Sequence, residues 1–116
     1  MLFDTHAHLN FKAFADDWPE VIKRAQEKNI GIIIPSSDLT TSRKAIAIAE
    51  KYEKGVYAAV GIHPIHVYKE KMDIDQYRQM AKHPKVVAIG EVGLDDFHTY
   101  TDHSQEEAKE LQRQVL

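Results

Sequence analysis

Four short apolar runs recur along this chain at nearly equal intervals, and this spacing restricts the fold more than any other feature. The runs are MLFDTHA, IGIIIP, VYAAVGIH and KVVAIGEVG, which begin at residues 1, 30, 56 and 85. The intervals match the length of one strand followed by one helix. Three of the runs are nearly continuous and rich in β-branched residues, which is typical of parallel strands buried on both faces.

The first two segments between these runs have helical patterns. In DDWPEVIKRAQEKN, Asp17 is placed to cap the helix, and Pro19 lies in the first turn, where its missing N–H does no harm. The segment TTSRKAIAIAEKYEKG predicts a second helix that ends at Gly55. Four residues of that segment lie on one predicted face: Ala45, Ile48, Ala49 and Tyr52.

The last two segments also predict helices. The pattern between residues 73 and 84 is weaker, and Pro84 closes it. Its apolar positions in phase are Ile74, Tyr77 and Ala81. The final segment begins with a capping box from Ser104 to Glu107. Its apolar face consists of Ala108, Leu111 and Val115.

The order of elements is therefore β-α repeated four times, with short loops and no linker. Such alternation predicts an α/β fold with a parallel sheet covered by helices. A doubly wound sheet and a (β/α)8 barrel both begin in this way. A complete barrel needs about 250 residues, so the 116 residues here correspond to about half of one. We expect residues 1–116 to form a single domain.

Composition narrows the possible chemistry. The net charge of −3 argues against a broad basic surface for nucleic acid. With no cysteine in the chain, thiolate metal sites are excluded, and any metal must be held by His, Asp and Glu. No apolar run reaches the roughly 18 residues of a membrane span, and the N-terminus does not resemble a signal peptide. We therefore expect a cytoplasmic protein without membrane contact.

Two histidines stand one residue apart in FDTHAHLN, at the expected end of the first strand. Residues two apart in a strand point the same way, so His6 and His8 would aim at a common point. Two neutral imidazoles would supply two of the three protein ligands of a catalytic metal site. Asp4 is either a further ligand, a partner that orients one, or a plain hydrogen-bonding residue. Alternatively, one histidine caps the strand and the other packs in the core.

An acidic residue ends the most hydrophobic strand of the chain, in IGEVGLD. In parallel α/β folds, the carboxyl ends of strands are where sites form. Glu91 at this place is costly unless it is paired or bound to metal. The alternative is an ion pair with a neighbouring lysine. Glycines at 90 and 93 permit close approach of backbone and ligand, whereas Asp95 is equally typical of a turn cap.

The remaining histidines are less specific. His63, at the end of the third strand in VGIHPIH, is equally compatible with binding substrate phosphate, with proton transfer, or with a turn role. His66 lies further into the loop and is expected to face solvent. His83 is expected at a helix end. His98 and His103 lie in a polar loop and carry no specific prediction.

The motifs FDTHAHLN, VGIHP and VAIGEVGLD occur in this order at strand-repeat spacing, and together they resemble the TatD family of metal-dependent deoxyribonucleases. These are TIM-type (β/α)8 barrels of the metal-dependent hydrolase superfamily. The resemblance implies hydrolysis of DNA phosphodiester bonds with two divalent ions (Mg, Mn or Zn). It makes His6 and His8 metal ligands, Glu91 a catalytic carboxylate shared between both ions, and His63 a catalytic histidine near the substrate phosphate.

The family places further ligands on later strands, beyond the four βα units in this sequence. The missing half of the barrel would be supplied by a longer chain or by a second copy. A non-catalytic half-barrel, serving as a metal-binding or assembly module, is the competing interpretation. A superfamily hydrolase that acts on another ester or amide is a further alternative. The sequence also leaves open the metal, the choice between DNA and RNA, and exonuclease or endonuclease action.

Overall fold

The structure, a computed structural model, describes residues 1–100 and 104–116. Within that part, four parallel strands alternate with four α-helices, as the sequence predicts. The strands are β1 Leu2–Asp4, β2 Ile30–Ile34, β3 Val56–Val60 and β4 Val86–Ile89. The helices are α1 Trp18–Glu27, α2 Leu39–Ala49, α3 Ile74–Ala81 and α4 Gln105–Val115. Two single 3-10 turns are Lys12–Phe14 and Pro64–His66. No described helix is long and apolar enough to cross a bilayer.

The strands form one sheet in the order β1-β2-β3-β4, with every neighbouring pair parallel. Each strand is joined to the next by a helical segment, so sequence neighbours are also neighbours in space. This arrangement is that of a half barrel of the (β/α)8 type. Because the strands are parallel, their carboxyl ends meet at one edge of the sheet, and the loops that follow them lie side by side.

The main core lies between the sheet and the helices. Ile22 of α1 and Ile34 of β2 are both fully buried there, and burying one such side chain stabilises the fold by about 1.5–3 kcal/mol. Seven further apolar residues complete this buried cluster: Leu9, Ile32, Ala45, Ile48, Ala49, Val56 and Ala58. A second cluster at the carboxyl end of β3 contains Val60, Ile62, Val67 and Tyr77. The continuous apolar runs of β2 and β3 therefore supply the centre of the fold.

The outer strands are exposed, in contrast to the central pair. All three residues of β1 are exposed, and so are three of the four residues of β4. Leu2 is 75% exposed and Ile89 is 63% exposed. Among the described residues, β1 and β4 each pair on one side only. The sheet therefore ends in two open edges that carry apolar side chains.

The second helix differs from the sequence expectation at both ends. It begins after Asp38, whose carboxylate accepts a hydrogen bond from the Thr41 backbone in a capping box. It ends at Ala49 rather than at Gly55. Gly55 has a φ of +82° and instead precedes β3. Tyr52 lies beyond the helix but still packs against the core, so the apolar periodicity predicted its burial and not its conformation.

Two further helix predictions were wrong in part. In α3, only Tyr77 of the three in-phase residues is buried, whereas Ile74 is 47% exposed and Ala81 is also exposed. At α1, Asp17 occupies the capping position but its side chain accepts no capping hydrogen bond. The capping box of Ser104 at α4 is confirmed.

Candidate metal centre

The two histidines of the first motif lie in the loop after β1, which ends two residues before His6. The Ala7 backbone N donates to the Ile33 carbonyl at 3.3 Å, and this bond keeps the loop beside β2. Asp4 accepts a hydrogen bond from the His6 backbone N at 3.0 Å. Asp4 lies outside the group of converging ligand atoms. It therefore shapes the turn that presents the histidines.

Glu91 follows β4 and is held in place by its backbone. Its N–H donates to the Ser36 carbonyl at 2.7 Å, and the preceding Gly90 N–H donates to the Val60 carbonyl at 2.9 Å. A Cβ at Gly61 would lie 2.6 Å from the Glu91 carbonyl oxygen. Only glycine at 61 lets the two backbones approach so closely. Gly61 carries no sequence signal beyond its place at the end of β3.

The side chains of His6, His8 and Glu91 converge at this edge of the sheet. The His6 Nε2 atom lies 3.5 Å from Glu91 Oε1, and the His8 Nε2 atom lies 3.3 Å from Glu91 Oε2. The ligand atoms of all three residues lie within 4.8 Å of one another. An ion bonded to each at about 2.0–2.2 Å needs ligand atoms about 4 Å apart or less. Small side-chain shifts would therefore bring the three ligand atoms to the separations that a bound ion requires.

His63 approaches the same carboxylate from β3 without joining the ligand group. Its Nε2 atom lies 3.8 Å from Glu91 Oε1. Its Nδ1 atom accepts a hydrogen bond from the Ile65 backbone N at 3.2 Å, which places the proton of the neutral ring on Nε2. His63 therefore presents an N–H donor to the site rather than the lone pair that a metal requires. His66, expected in solvent, is instead half-buried, with its ring 6.1 Å from that of His63.

Burial sets the protonation of the inner histidines. It lowers the pKa of His8 and that of His63, although the nearby Glu91 carboxylate opposes both shifts. Neutral imidazole is the form that binds a metal. The His8 Nδ1 atom is buried and has no hydrogen-bond partner among the described residues. The imidazoles of His6 and His8 and the Glu91 carboxylate form a donor set that suits zinc, manganese or iron, so these residues fit a divalent ion.

Residues 35–37, here called the β2 junction, connect the loops that carry the site. The Asn10 Nδ2 atom donates to the Pro35 carbonyl at 3.0 Å. The Ser36 carbonyl accepts from Glu91, and the Ser37 carbonyl accepts from the His63 backbone N at 2.9 Å. The loops after β1, β3 and β4 are thus tied to one buried segment. No sequence pattern predicts this junction, because its role depends on carbonyl groups, which every residue has.

Gln112 of α4 joins two of the same loops. This side chain is fully buried, and its Nε2 atom donates to the Pro64 carbonyl at 3.2 Å and to the Tyr100 hydroxyl at 3.0 Å. Its Oε1 atom accepts from the Asp95 backbone N at 2.9 Å. The amide therefore links the turn after His63 to the loop after Glu91. The sequence pattern did not predict the burial of Gln112, because a glutamine in an otherwise polar helix is normally a surface residue.

The other predicted polar residues lie outside the ligand group. Asp95 closes a turn by accepting from the His98 backbone N at 3.4 Å and lies 3.0 Å from the His98 ring. The His83 Nε2 atom lies 2.8 Å from Glu50 Oε1, at the end of α3. His103 lies outside the described residues. In the part of the chain that the structure describes, His6, His8 and Glu91 form the one cluster of this kind.

Comparison with known proteins gives the same family for nearly the whole chain. The family model described as TatD related DNase matches residues 3–116. The uncharacterized metal-dependent hydrolase YabD of Bacillus subtilis is 39% identical over 118 aligned positions, which cover 100% of this chain and 44% of that protein. The 3′-5′ ssDNA/RNA exonuclease TatD of Pantoea ananatis is 33% identical over 108 positions, which cover 91% of this chain and 42% of that protein.

A solved structure is similar in fold as well. The crystal structure of YjjV, a TatD homologue from Escherichia coli, superposes with a TM-score of 0.74 at 30% sequence identity. The match covers 98% of this chain and 46% of that one. The chain thus spans less than half the length of each of these three relatives.

Proposed function

The chain belongs to the TatD related DNase family, and from that premise we propose that it forms the metal-binding half of a hydrolase that cleaves phosphodiester bonds in DNA. The observation that carries the proposal is the convergence of His6, His8 and Glu91 at the carboxyl edge of the sheet, with ligand atoms within 4.8 Å of one another. These three side chains would hold a divalent ion, which would supply an activated water and would stabilise the negative charge that develops at the phosphate.

The family resemblance gives each side chain a role in this proposal, and the geometry is compatible with it. His6 and His8 hold the ion through Nε2, the atom that each turns toward Glu91. Glu91 has one oxygen beside His6 and the other beside His8, and its carboxylate would complete the donor set for divalent metal (Mg, Mn or Zn), with a second ion as the family resemblance implies. His63 carries its proton on Nε2 and donates it in a hydrogen bond to a phosphate oxygen. Glu91 and His63 are therefore the catalytic residues of the proposal.

The test measures the rate of phosphodiester hydrolysis by the full-length protein in its native oligomeric state. Suitable substrates are bis(p-nitrophenyl) phosphate and a single-stranded oligodeoxynucleotide, each with Mg²⁺, Mn²⁺ or Zn²⁺ and after EDTA. We expect hydrolysis of both with metal, and loss with EDTA. Glu91→Gln should lower the rate and the metal affinity by roughly 100-fold or more, since even residues that only orient metal ligands contribute about 10–100-fold. The matched control is Glu27→Gln, at an exposed position on α1.

Other outcomes identify the alternatives. Hydrolysis of p-nitrophenyl acetate without hydrolysis of either phosphodiester would favour action on another ester. Metal binding at His6, His8 and Glu91 without any hydrolysis would favour a non-catalytic metal-binding module. Full activity of Glu91→Gln would contradict the assignment of the site.

A further inference from the structure

A shallow pocket of about 380 Å³ lies next to the metal centre. One side is formed by the loop after β1, with Asn10, Phe11 and Lys12, and the other by the start of α2 and by His66. None of these residues has a role in the proposed hydrolysis.

The pocket borders the site directly. The Phe11 ring stacks on that of His8, with centroids 4.1 Å apart and an interplanar angle of 25°. On the opposite side, the rings of His66 and His63 are in edge contact. A group bound here would therefore be adjacent to a phosphate held between His8 and His63.

One buried polar group at the pocket has unused hydrogen-bonding capacity. Asn10 is 2% exposed, and its Nδ2 atom lies within hydrogen-bonding distance of the Pro35 carbonyl, the Ser36 hydroxyl and the Thr41 carbonyl. Its Oδ1 atom has no partner among the described residues. A buried acceptor without a donor costs about 1–3 kcal/mol. Because the Oδ1 atom is itself buried, Asn10 contributes to the wall of the pocket and holds it against α2 and the β2 junction.

The charges of the pocket argue against a phosphate in it. Lys12 and Asp38 contribute one charge of each sign. The Asp38 carboxylate is also bound to the Thr41 backbone N at 2.7 Å, which holds it in place at the start of α2. A nearly neutral pocket beside an aromatic ring suits an uncharged planar group. The phosphate of the substrate would instead bind at the metal site, where the positive charge would be.

We propose that this pocket binds the nucleobase next to the scissile phosphodiester, with Phe11 as its stacking surface. The proposal rests on the proposed function and names the part of the substrate that this surface recognises. Stacking of single-stranded bases on aromatic side chains is tolerant of sequence. The exposed Lys12 ammonium lies at the rim, where it meets the sugar-phosphate backbone.

A kinetic test compares intact and abasic substrates in the wild-type protein and in a Phe11 variant. A series of single-stranded oligodeoxynucleotides carries one abasic residue at successive positions. We expect the abasic residue beside the scissile bond to lower kcat/KM roughly tenfold, the typical effect of losing one stacked base. In Phe11→Leu, the intact substrate should lose a similar factor, and the abasic residue should then have little further effect. Phe97→Leu is the matched control, because Phe97 is 89% exposed and lies outside the pocket.

An undiminished abasic effect in Phe11→Leu would place the base elsewhere and overturn the proposal, as would the absence of any abasic effect. A binding measurement separates this failure from failure of the proposed function. Deoxyadenosine 5′-monophosphate and deoxyribose 5-phosphate are titrated by calorimetry into the metal-loaded protein. Tighter binding of the nucleotide, lost in Phe11→Leu and kept in Phe97→Leu, supports the pocket even if no hydrolysis occurs. Equal affinities of wild type for the two compounds contradict it.

Discussion

Gly61 sets the distance between the end of β3 and the backbone that carries Glu91. A Cβ at this position would lie 2.6 Å from the Glu91 carbonyl oxygen and 2.8 Å from the Gly90 carbonyl carbon. Both neighbours are backbone atoms, which cannot rotate away as a flexible side chain would. The position of the Glu91 carboxylate therefore depends on the absence of a side chain two residues before His63.

We accordingly expect Gly61→Ala to be destabilising by about 1–3 kcal/mol, as overpacked substitutions are, and to weaken binding of Mn²⁺ or Zn²⁺ because Glu91 moves away from His6 and His8. Urea unfolding and calorimetric metal titration measure the two effects. Gly90→Ala is the matched control, since a Cβ there would meet nothing within 4 Å. Unchanged metal affinity in Gly61→Ala would contradict this role of the glycine.

At the scale of elements, α4 holds the site together through one buried amide. Gln112→Met keeps most of the side-chain volume but leaves the Asp95 N–H and the Pro64 carbonyl without their partner. We expect a loss of about 2 kcal/mol in the free energy of unfolding, since buried groups left unpaired cost about 1–3 kcal/mol. Gln114→Met changes an exposed glutamine of the same helix and should have little effect. Equal stabilities of the two variants in urea would exclude the proposed link.

The stabilisation that Asp73 provides at the start of α3 is expected to depend on pH. The Asp73 carboxylate accepts hydrogen bonds from the Gln76 side chain at 2.7 Å and from its backbone N at 3.2 Å, and these bonds lower the pKa of Asp73. A lowered pKa in the folded state means that this stabilisation is present above the unfolded value, about 3.9, and is lost as the pH falls through the folded value. Carboxyl NMR titration should give a midpoint below 3.9. Gln76→Ala should raise it, and an unchanged midpoint would contradict the assignment.

The strands and helices were predictable where a local sequence pattern, an apolar run or a helix cap, specifies them. The strands around Ile32 and Val56 and the capping box at Ser104 follow from local sequence, because apolar runs and caps are local properties. The convergence of His6, His8 and Glu91 was predictable for a related reason, since these residues follow parallel strands, β1 and β4, whose carboxyl ends lie at the same edge of the sheet. Asn10 and Gln112 were not, because their role is to bond groups 25 to 48 residues away. Such long-range bonds leave no pattern in one sequence.

At the scale of the whole molecule, the sheet formed by the described residues has two open edges, β1 and β4. Leu2 on β1 and Ile89 on β4 are largely exposed, and unpaired strands with apolar side chains invite association. We propose that the remaining strands of the barrel come from the same polypeptide, given that the chain spans 42% and 44% of two of its relatives. A second copy of the chain is the alternative source.

Native mass spectrometry of the intact protein distinguishes these sources. We expect a single polypeptide of about 250 residues, the length of a complete barrel. A complex of two 13.3 kDa chains would instead favour closure by a second copy. A stable 13.3 kDa monomer that binds metal would favour the non-catalytic module and contradict both proposals.

The bonds at the β2 junction also imply an order of assembly in time. Asn10 reaches Pro35 across only 25 residues of chain, so the loop with both histidines can dock as soon as β2 and its junction leave the ribosome. Glu91 reaches the same segment much later, after two more strands have been made. At a rate of synthesis of about 5–20 residues per second, Glu91 is added several seconds after the β2 junction. Glu91 is therefore synthesised last of the three candidate ligands, so the candidate site can be complete only after β4 has been made.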